Sequence, residues 1–234
     1  EHWTKFEPNP VFSGDGSGFD AVGVTRPVVF VDADGTWVMY YNGIGEAGQV
    51  FGTGIGRATA ASPEGPWERE DDPVLESGAA RAWDAGFLFP DSVVQDGDQY
   101  VMYYSSGFSV GRATSEDGIT WTKDADPVLT PASGQWDSAI AWGSDVRLTD
   151  NGWEMFYYGA KTRNGGPGID VGYASSSDGI HWERSPESVI NLSRDQAFFP
   201  TFMVEPDGTY RVYYAVASNS AYTEFHLAMG TITR

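Results

Sequence analysis

Apolar and polar residues alternate in short runs along the whole chain, and each run follows a turn rich in Asp, Asn and Gly. Four runs contain an aromatic doublet: VMYY ending at Tyr41, VMYY at Tyr104, MFYY at Tyr158 and RVYY at Tyr214. A period of two is typical of half-buried β-strands, and Asp-Gly or Asn-Gly supplies the positive φ of a tight hairpin. Helical periodicity is absent, so the pattern predicts antiparallel strands throughout.

Two further strand types recur with the doublets. The third strand of each repeat reads GIGRAT (54–59), VGRATS (110–115), VGYASS (171–176) and FHLAMG (225–230). The fourth strand opens on Trp and ends in an apolar pair, as WEREDDPVL (67–75), WTKDADPVL (121–129) and WERSPESVI (182–190). Its remaining copy stands at the beginning of the chain, as WTKFEPNPVF from Trp3 to Phe12.

Each repeat is therefore a four-stranded antiparallel sheet, which is typical of a β-propeller blade. We predict an all-β, single-domain β-propeller of four blades, closed by the N-terminal strand, which leaves few free sheet edges. The predicted blades lie at about 13–75, 76–129 and 130–190, and the last combines 191–234 with 1–12. The alternative is a five-bladed-like or incomplete propeller.

The amino-acid composition excludes several classes of function. With 33 acids against 14 bases, the net charge is −19, and no basic stripe is available to bind nucleic acid or anionic lipid. The chain has no cysteine, which excludes disulfides and thiolate chemistry. Because it begins with Glu1 rather than Met, we expect a secreted protein, extracellular or periplasmic, with a cytoplasmic location as the alternative. We expect this acidic protein to be a monomer.

Comparison among the repeats separates structural acids from candidate catalytic acids. FD, WD, WD and RD pairs precede every inner strand, which predicts that Asp20 and its counterparts accept backbone hydrogen bonds. Asp20 remains a catalytic candidate because it precedes a strand that should line the axis. Asp91 aligns with Pro27, Ser144 and Thr201, and Asp145 aligns with Val28, Ser92 and Phe202. Each is the only acid at its position, so both are catalytic candidates.

The third strands and the aromatic residues supply further candidates. Asp170 and Glu224 replace Gly54 and Ser109; we place Glu224 among the catalytic candidates and Asp170 among the substrate-binding ones. Arg26, which should neutralise Asp91, and His226, which replaces a glycine of the blade, are also substrate-binding candidates. Aromatic rings that could stack on a sugar are Trp83, Phe89, Trp142 and Phe199, for which packing between blades is the competing interpretation. A Ca²⁺ or Na⁺ ion in the central channel is a further prediction.

The pattern WD…P-x-V-x-x-DG-x-Y-x-MYY…G-x-A-x-S-x-DG-x-x-W…DPVL resembles the five-bladed glycoside hydrolase propellers over essentially the whole chain. These are the arabinanases and β-xylosidases, the levanases and invertases, and the β-mannoside phosphorylases. The resemblance implies a base, an orienting Asp and an acid on successive inner strands. Pro90-Asp91 with Val93 matches the orienting motif. TRPVV lacks the expected Asp of the base, and AWGSDV offers only Asp145 in place of the acidic Glu.

Two functions follow as hypotheses. The first is a glycosidase-like protein acting on a furanoside or pyranoside of an oligosaccharide, with Asp91 and Asp145 as its acid pair. Such pairs stand about 5–5.5 Å apart for retention and about 6.5–9.5 Å apart for inversion. The second is a non-catalytic carbohydrate-binding or scaffold propeller, since the full triad is absent. A minimal or engineered propeller is a third interpretation of four regular repeats.

Overall fold

The chain folds into four antiparallel β-sheets and contains almost no helix. The structure is a computed structural model that describes residues 4–163, 168–192, 195–217 and 225–233. Within these residues the helical structure is limited to a 3₁₀ turn at Gly18–Asp20, and no helix is long and apolar enough to cross a membrane. The predicted fold class, an all-β protein of the four-bladed β-propeller type, is confirmed.

Each sheet begins with a long inner strand and continues outward in chain order. The first sheet contains β1 (Gly23–Val31), β2 (Trp37–Ile44), β3 (Gly54–Ala60), β4 (Glu68–Arg69) and β5 (Leu75–Glu76). The second contains β6 (Phe89–Asp96), β7 (Gln99–Ser106), β8 (Ser109–Ser115) and β9 (Thr122–Lys123). The third contains β10 (Ile140–Thr149), β11 (Gly152–Ala160), β12 (Ile169–Ser176) and β13 (Glu183–Arg184). The last contains β14 (Gln196–Val204), β15 (Tyr210–Ala217) and β16 (Phe225–Ile232).

The tyrosine doublets contribute buried rings to the core, and in the first two repeats the hydroxyl of the first tyrosine bonds to a turn of another repeat. The Tyr40 hydroxyl donates to the Gly118 carbonyl oxygen at 2.6 Å, and the Tyr103 hydroxyl donates to the Gly179 carbonyl oxygen at 2.7 Å. Both glycines lie in the Asp-Gly turns that precede a Trp. A buried phenol needs such a partner, so these turns complete the core as well as reversing the chain.

Three inner strands carry a β-bulge at the same place. The bulges lie between Thr25 and Val28 in β1, Trp142 and Asp145 in β10, and Phe198 and Thr201 in β14. In each case two residues of the inner strand oppose one tyrosine of the next strand. The three opposing residues are Tyr41, Tyr157 and Tyr214.

The bulges correct the alignment of the last repeat by one residue. Asp145 corresponds to Thr201 and not to Phe202, and Phe198 rather than Phe199 matches Trp142. The doublets also differ, since Tyr157 of the third repeat takes the place of Tyr41. Runs of similar apolar residues permit such a slip in a sequence alignment, whereas in a sheet it would move every side chain to the opposite face.

The N-terminal segment does not form the strand that the sequence predicts. Residues 4–12 are in no strand, and the described part of the last sheet has three strands; Trp3 lies outside the described residues. The Phe12 ring packs instead against Tyr41 of the first sheet, with ring centroids 5.0 Å apart, and the Arg69 guanidinium lies 4.4 Å from its centre. These aromatic and cation–π contacts hold the end of the segment on the first sheet.

Contacts divide the chain into two compact units. The first unit comprises Glu1–Pro90 and Ser115–Trp121 and contains the first sheet. The second unit comprises Asp91–Thr114 and Thr122–Arg234 and contains the third and last sheets with most of the second. The single-domain organisation with the blade boundaries given above stays a prediction.

Candidate functional site

Asp91 lies near the start of β6, half-buried, and its carboxylate is held by a hydroxyl group. The Ser105 hydroxyl donates to Asp91 Oδ2 at 2.6 Å and accepts the Gly143 backbone N–H at 3.0 Å. A Cβ atom added to Gly143 would lie 2.8 Å from Asp91 Oδ2, so only glycine lets the β10 backbone approach the carboxylate this closely. The bulge of β10 therefore forms one wall of the space around Asp91.

Asp145, the second predicted acid, connects the third sheet to the last. Its Oδ2 atom accepts the Thr201 hydroxyl at 2.6 Å, the Phe202 backbone N–H at 3.0 Å and Arg147 Nη2 at 2.8 Å. The Ser92 hydroxyl oxygen accepts the Val146 backbone N–H at 2.8 Å in the corresponding place one sheet earlier. Asp145 therefore performs a structural role that a serine performs elsewhere; its place in an acid pair stays a prediction.

Asp20 belongs to a buried brace that recurs in the third sheet. Asp20 Oδ2 accepts the Tyr41 hydroxyl at 2.8 Å and pairs with Arg69 at 2.5 Å. In the same way, Asp137 Oδ2 accepts the hydroxyl of Tyr157 at 2.9 Å and Nη1 of Arg184 at 2.7 Å. Burial and the neighbouring carboxylates raise the pKa of both phenols, so the tyrosines remain donors. The repetition indicates a structural function for Asp20, as the FD and WD pattern suggested.

The remaining polar candidates lie on the third strands. Asp170 is buried, accepts the Asn191 side-chain amide at 2.7 Å, and borders a cavity of about 500 Å³. Burial raises the pKa of its carboxyl group. His226 is exposed on β16 and, opposite Val216, takes the register position that Asp170 takes opposite Gly159. Glu224 lies outside the described residues, so its catalytic role stays a prediction.

Five rings of the second unit form what we call the aromatic cluster, defined as Phe108, Trp142, Tyr158, Phe198 and Phe199. Trp142 stacks on Phe108 with centroids 6.4 Å apart, and its edge meets Tyr158 at 5.7 Å. Phe198 and Phe199 meet Tyr158 at 5.8 and 5.5 Å. The guanidinium of Arg163 covers the Phe108 ring at 4.1 Å. Trp142 is the residue before Gly143, so the cluster adjoins the bulge beside Asp91.

Phe199 is the exposed member of the aromatic cluster. It occupies the first bulge position of β14 with a φ of 51°, and Arg26 occupies the same position of β1 with a φ of 54°. A positive φ is strained for a residue that has a Cβ atom, and such strain concentrates at functional positions. The Phe199 side chain is 42% exposed, whereas Phe198 is buried. The strained bulge therefore presents an aromatic ring to solvent.

Two of the predicted candidates of the first unit, Arg26 and Phe89, pack against each other. Phe89 is completely buried and stacks on Phe87 at 4.4 Å. The Arg26 guanidinium lies 3.8 Å from the centre of the Phe89 ring, so this ring serves as the arginine's platform. Trp83 is half-buried at the sequence position where Trp136 packs on Tyr157 in the third sheet. The neutralisation of Asp91 by Arg26 stays a prediction.

The fold brings together several polar residues that the repeat pattern did not single out. Ser105 holds Asp91, and the only sign of this role is that a serine follows the doublet. Glu154 is fully buried and accepts the Tyr173 hydroxyl at 2.8 Å and the Tyr210 hydroxyl at 2.5 Å. An acid inside the apolar run before MFYY, where the first two repeats have valine, was the available signal.

No group of three or more His, Asp or Glu side chains that could hold a metal occurs in the described parts of the chain. The predicted channel ion would therefore depend on carbonyl oxygens or on fewer carboxylates. The Ca²⁺ or Na⁺ site and the monomeric state stay predictions.

No protein-family model and no curated protein matches the chain. Solved structures do match. A putative glycosidase from Bacteroides thetaiotaomicron is 21% identical, with a TM-score of 0.70 over 94% of this chain and 72% of that one. A putative glycoside hydrolase from Parabacteroides distasonis is 18% identical, with a TM-score of 0.70 over the same shares.

A third matching structure is described under the finding that the GH130 family of mannoside phosphorylases contains glycoside hydrolases that target β-1,2 mannosidic linkages. It is 19% identical, with a TM-score of 0.69 over 94% of this chain and 69% of that chain. These likenesses confirm the resemblance to glycoside hydrolase propellers at the level of the fold.

Proposed function

We propose that the protein binds a saccharide, a furanoside or pyranoside, at the aromatic cluster beside Asp91. The observation that carries the proposal is the Phe199 ring, exposed on a strained bulge and in contact with Tyr158 and Phe198. Flat aromatic surfaces suit the C–H face of a sugar, and exposed apolar rings with backbone strain suit a binding function better than a structural one. The glycosidase names of the similar folds support a carbohydrate ligand.

Asp91 is the polar group of this site. Its carboxylate accepts a hydrogen bond from Ser105, and a carboxylate group, which can accept several hydrogen bonds, is a suitable acceptor for sugar hydroxyls. Gly143 itself adds no side-chain atom beside the carboxylate, where a Cβ atom would lie 2.8 Å from Oδ2. An aromatic platform with one fixed carboxylate gives both affinity and orientation.

Hydrolysis is the second candidate function. The sequence position of Asp91 favours hydrolysis. Asp91 matches the Pro-Asp motif of the glycoside hydrolase propellers and is the only acid at its position in the aligned inner strands. Glycosidases usually need two carboxyl groups, one protonated and one ionised. Asp145 is bonded to Arg147 and two other donors, and Asp20 is bonded to Arg69 and the Tyr41 hydroxyl. We therefore place saccharide binding first.

The test is a panel of aryl glycosides and oligosaccharides, measured for both binding and hydrolysis. We expect at least one saccharide to raise the melting temperature of the wild type, and Asp91→Asn to reduce that shift while remaining folded. Sugar-dependent stabilisation without turnover supports the binding function, and turnover lost in Asp91→Asn supports hydrolysis. Absence of both stabilisation and turnover over the whole panel would reject the proposal.

A further inference from the structure

A cavity of about 500 Å³ lies in the third repeat, beside the start of β12. Its wall comprises residues 134–136 before β10, Lys161 and Gly168 between β11 and β12, Asp170 of β12, and four residues between 186 and 191 after β13. Sites that bind small molecules have volumes of roughly 300–1,000 Å³. The cavity is therefore large enough for a small ligand.

The cavity and the aromatic cluster lie on opposite faces of the third sheet. Asp170 pairs with Gly159, the residue after Tyr158. Neighbouring residues of a strand point to opposite faces, so Asp170 lies on the face away from Tyr158, a member of the aromatic cluster. Trp136 of the cavity wall packs on Tyr157, which shares its face of the sheet with Asp170. The cavity is therefore separate from the aromatic cluster.

The first sheet fills the corresponding place with different residues. Gly54 takes the register position of Asp170, and a Cβ atom added to Gly54 would lie 2.9 Å from Pro73. Ser188 takes the place of Pro73, two residues before the aliphatic residue that pairs with the third strand. Its hydroxyl donates to Asp170 Oδ2 at 3.3 Å. The first repeat closes this place with glycine and proline, whereas the third repeat places polar groups there beside a cavity.

The Asp170 carboxylate is incompletely satisfied by the fold. Asp170 is 5% exposed, and its Oδ2 atom accepts the Asn191 side-chain amide at 2.7 Å, while Oδ1 has no hydrogen-bond partner within the ranges that the structure describes. Burial raises the pKa of this carboxyl group and outweighs the hydrogen bonds from Ser188, Asn191 and the Leu192 backbone, which lower the pKa. A carboxylate that destabilises the fold and borders a cavity indicates a binding function.

The other groups of the wall indicate the chemistry of the ligand. Lys161 and Asn191 supply hydrogen-bond donors, Glu187 supplies acceptors and Gln135 supplies both. Trp136 adds an indole ring, whose buried Nε1 atom has no acceptor among the described residues. An apolar molecule would leave these polar groups without partners. A hydroxyl group both donates and accepts, so a neutral molecule with several hydroxyl groups matches this wall of mixed charge.

We propose that the cavity beside Asp170 binds a neutral monosaccharide unit, at a site separate from the aromatic cluster. The Asp170 carboxylate accepts a hydrogen bond from a sugar hydroxyl, and the Lys161 ammonium donates to another. The Trp136 indole forms the apolar part of the wall. All of these residues belong to the third repeat, and the inference does not require that the aromatic cluster binds sugar.

Fluorine NMR of protein labelled with 5-fluorotryptophan tests the proposal, because each site contains its own tryptophan. Loss of one signal in Trp136→Phe and of another in Trp142→Phe assigns the resonances of the cavity and of the aromatic cluster. The probes are D-glucose, D-mannose, D-xylose and L-arabinose, each titrated separately. We expect at least one of these sugars to shift the Trp136 resonance saturably.

Variants of the wall identify the groups that bind. We expect Asp170→Ala to weaken the sugar affinity measured at Trp136 about tenfold, because a hydrogen bond to a charged group is lost. Asp126→Ala, at an exposed acid, is the control and should bind like the wild type. Lys161→Ala changes an exposed residue of the same wall and should weaken binding about threefold. Circular dichroism establishes that each variant is folded.

The two resonances distinguish this inference from the proposed function. A sugar that shifts Trp142 alone supports saccharide binding at the aromatic cluster and overturns the cavity site. Shifts of both resonances, of which Asp170→Ala weakens only that of Trp136, support two separate sites. The inference is also overturned if none of the four sugars shifts Trp136 saturably, or if both Asp170→Ala and Lys161→Ala bind like the wild type.

Discussion

The contacts of individual carboxylates indicate a structural role for two acids and show which groups surround the third. Asp20 and Asp145 each pair with an arginine and accept further hydrogen bonds, so they connect elements of the fold. Asp91 is held by the Ser105 hydroxyl beside a glycine bulge. The same residue type thus serves as a brace in two places and as a candidate ligand-binding group in the third.

Replacing Asp145 tests its structural role. We expect Asp145→Asn to lower the free energy of unfolding by about 2 kcal/mol, because charge-assisted hydrogen bonds to Arg147 and to the Phe202 backbone are weakened. Urea denaturation measures the change, and Asp150→Asn, at an exposed turn position, serves as the control. Full stability of Asp145→Asn together with lost hydrolysis would show that Asp145 acts as a catalytic acid instead.

Asp170 should make stability depend on pH. Burial raises the pKa of its carboxyl in the folded state, so the protonated form is favoured there. The Asp170 carboxyl group therefore does not lower the free energy of unfolding below the pKa that it has in the unfolded state. It lowers that free energy as the pH rises from this value through the pKa of the folded state. We expect Asp170→Asn to gain stability relative to the wild type between about pH 3 and about pH 7. Exposed Asp126→Asn should show no such trend, and a gain confined to low pH would refute the argument.

Sequence comparison among the repeats could identify some of these roles but not all. It indicated a structural role for Asp20, because an acid that precedes every inner strand needs no catalytic explanation. It could not show that Asp145 bonds across to Thr201, because that contact joins residues of different sheets. Nor could it predict the buried Glu154, whose two tyrosine partners come from different strands.

At the scale of elements, the bulges decide which side chains the inner strands present. The sequence predicted the strands and their order, since alternation and turn residues are local signals. The bulges added an extra residue to three inner strands, and the alignment of the last repeat consequently slipped by one. In the structure Phe198 is buried at the position that corresponds to Trp142, and Phe199 on the bulge is exposed.

The bulge in β10 can be tested through its glycine. Gly143→Ala would place a Cβ atom 2.8 Å from Asp91 Oδ2 and displace the carboxylate. We expect saccharide affinity to fall about tenfold, the effect of losing one hydrogen bond to a charged group. Gly23→Ala is the matched control, since no atom lies within 4 Å of its added Cβ. Equal saccharide affinity of the two variants would show that the approach of β10 does not position Asp91.

At the scale of the whole molecule, the repeat predicted the fold class well and the role of the N-terminal segment poorly. Four copies of each strand type imply four sheets whatever their contacts. The position of residues 4–12 depends on tertiary contacts, and Phe12 lies against Tyr41 of the first sheet. A sequence match to the fourth strand type could not show that this segment packs on the first sheet without forming a strand.

The charge of the whole molecule should make stability depend on salt. With a net charge of −19, repulsion among carboxylates opposes compact structure. We expect the melting temperature to rise as NaCl increases from about 0.02 M to about 0.5 M, because screening shortens the range of this repulsion. Choline chloride at equal ionic strength should give the same rise. A rise with NaCl alone would indicate specific Na⁺ binding and contradict this explanation.

Isothermal titration of the best saccharide from the panel tests the central claim, that the aromatic cluster beside Asp91 binds sugar. Phe199→Ala is compared with Phe6→Ala, a control in which the same residue type is equally exposed, 44% against 42%. We predict that Phe6→Ala binds like the wild type and that Phe199→Ala binds about tenfold more weakly, because a central aromatic contact is lost. Unchanged saccharide affinity in Phe199→Ala would contradict the account.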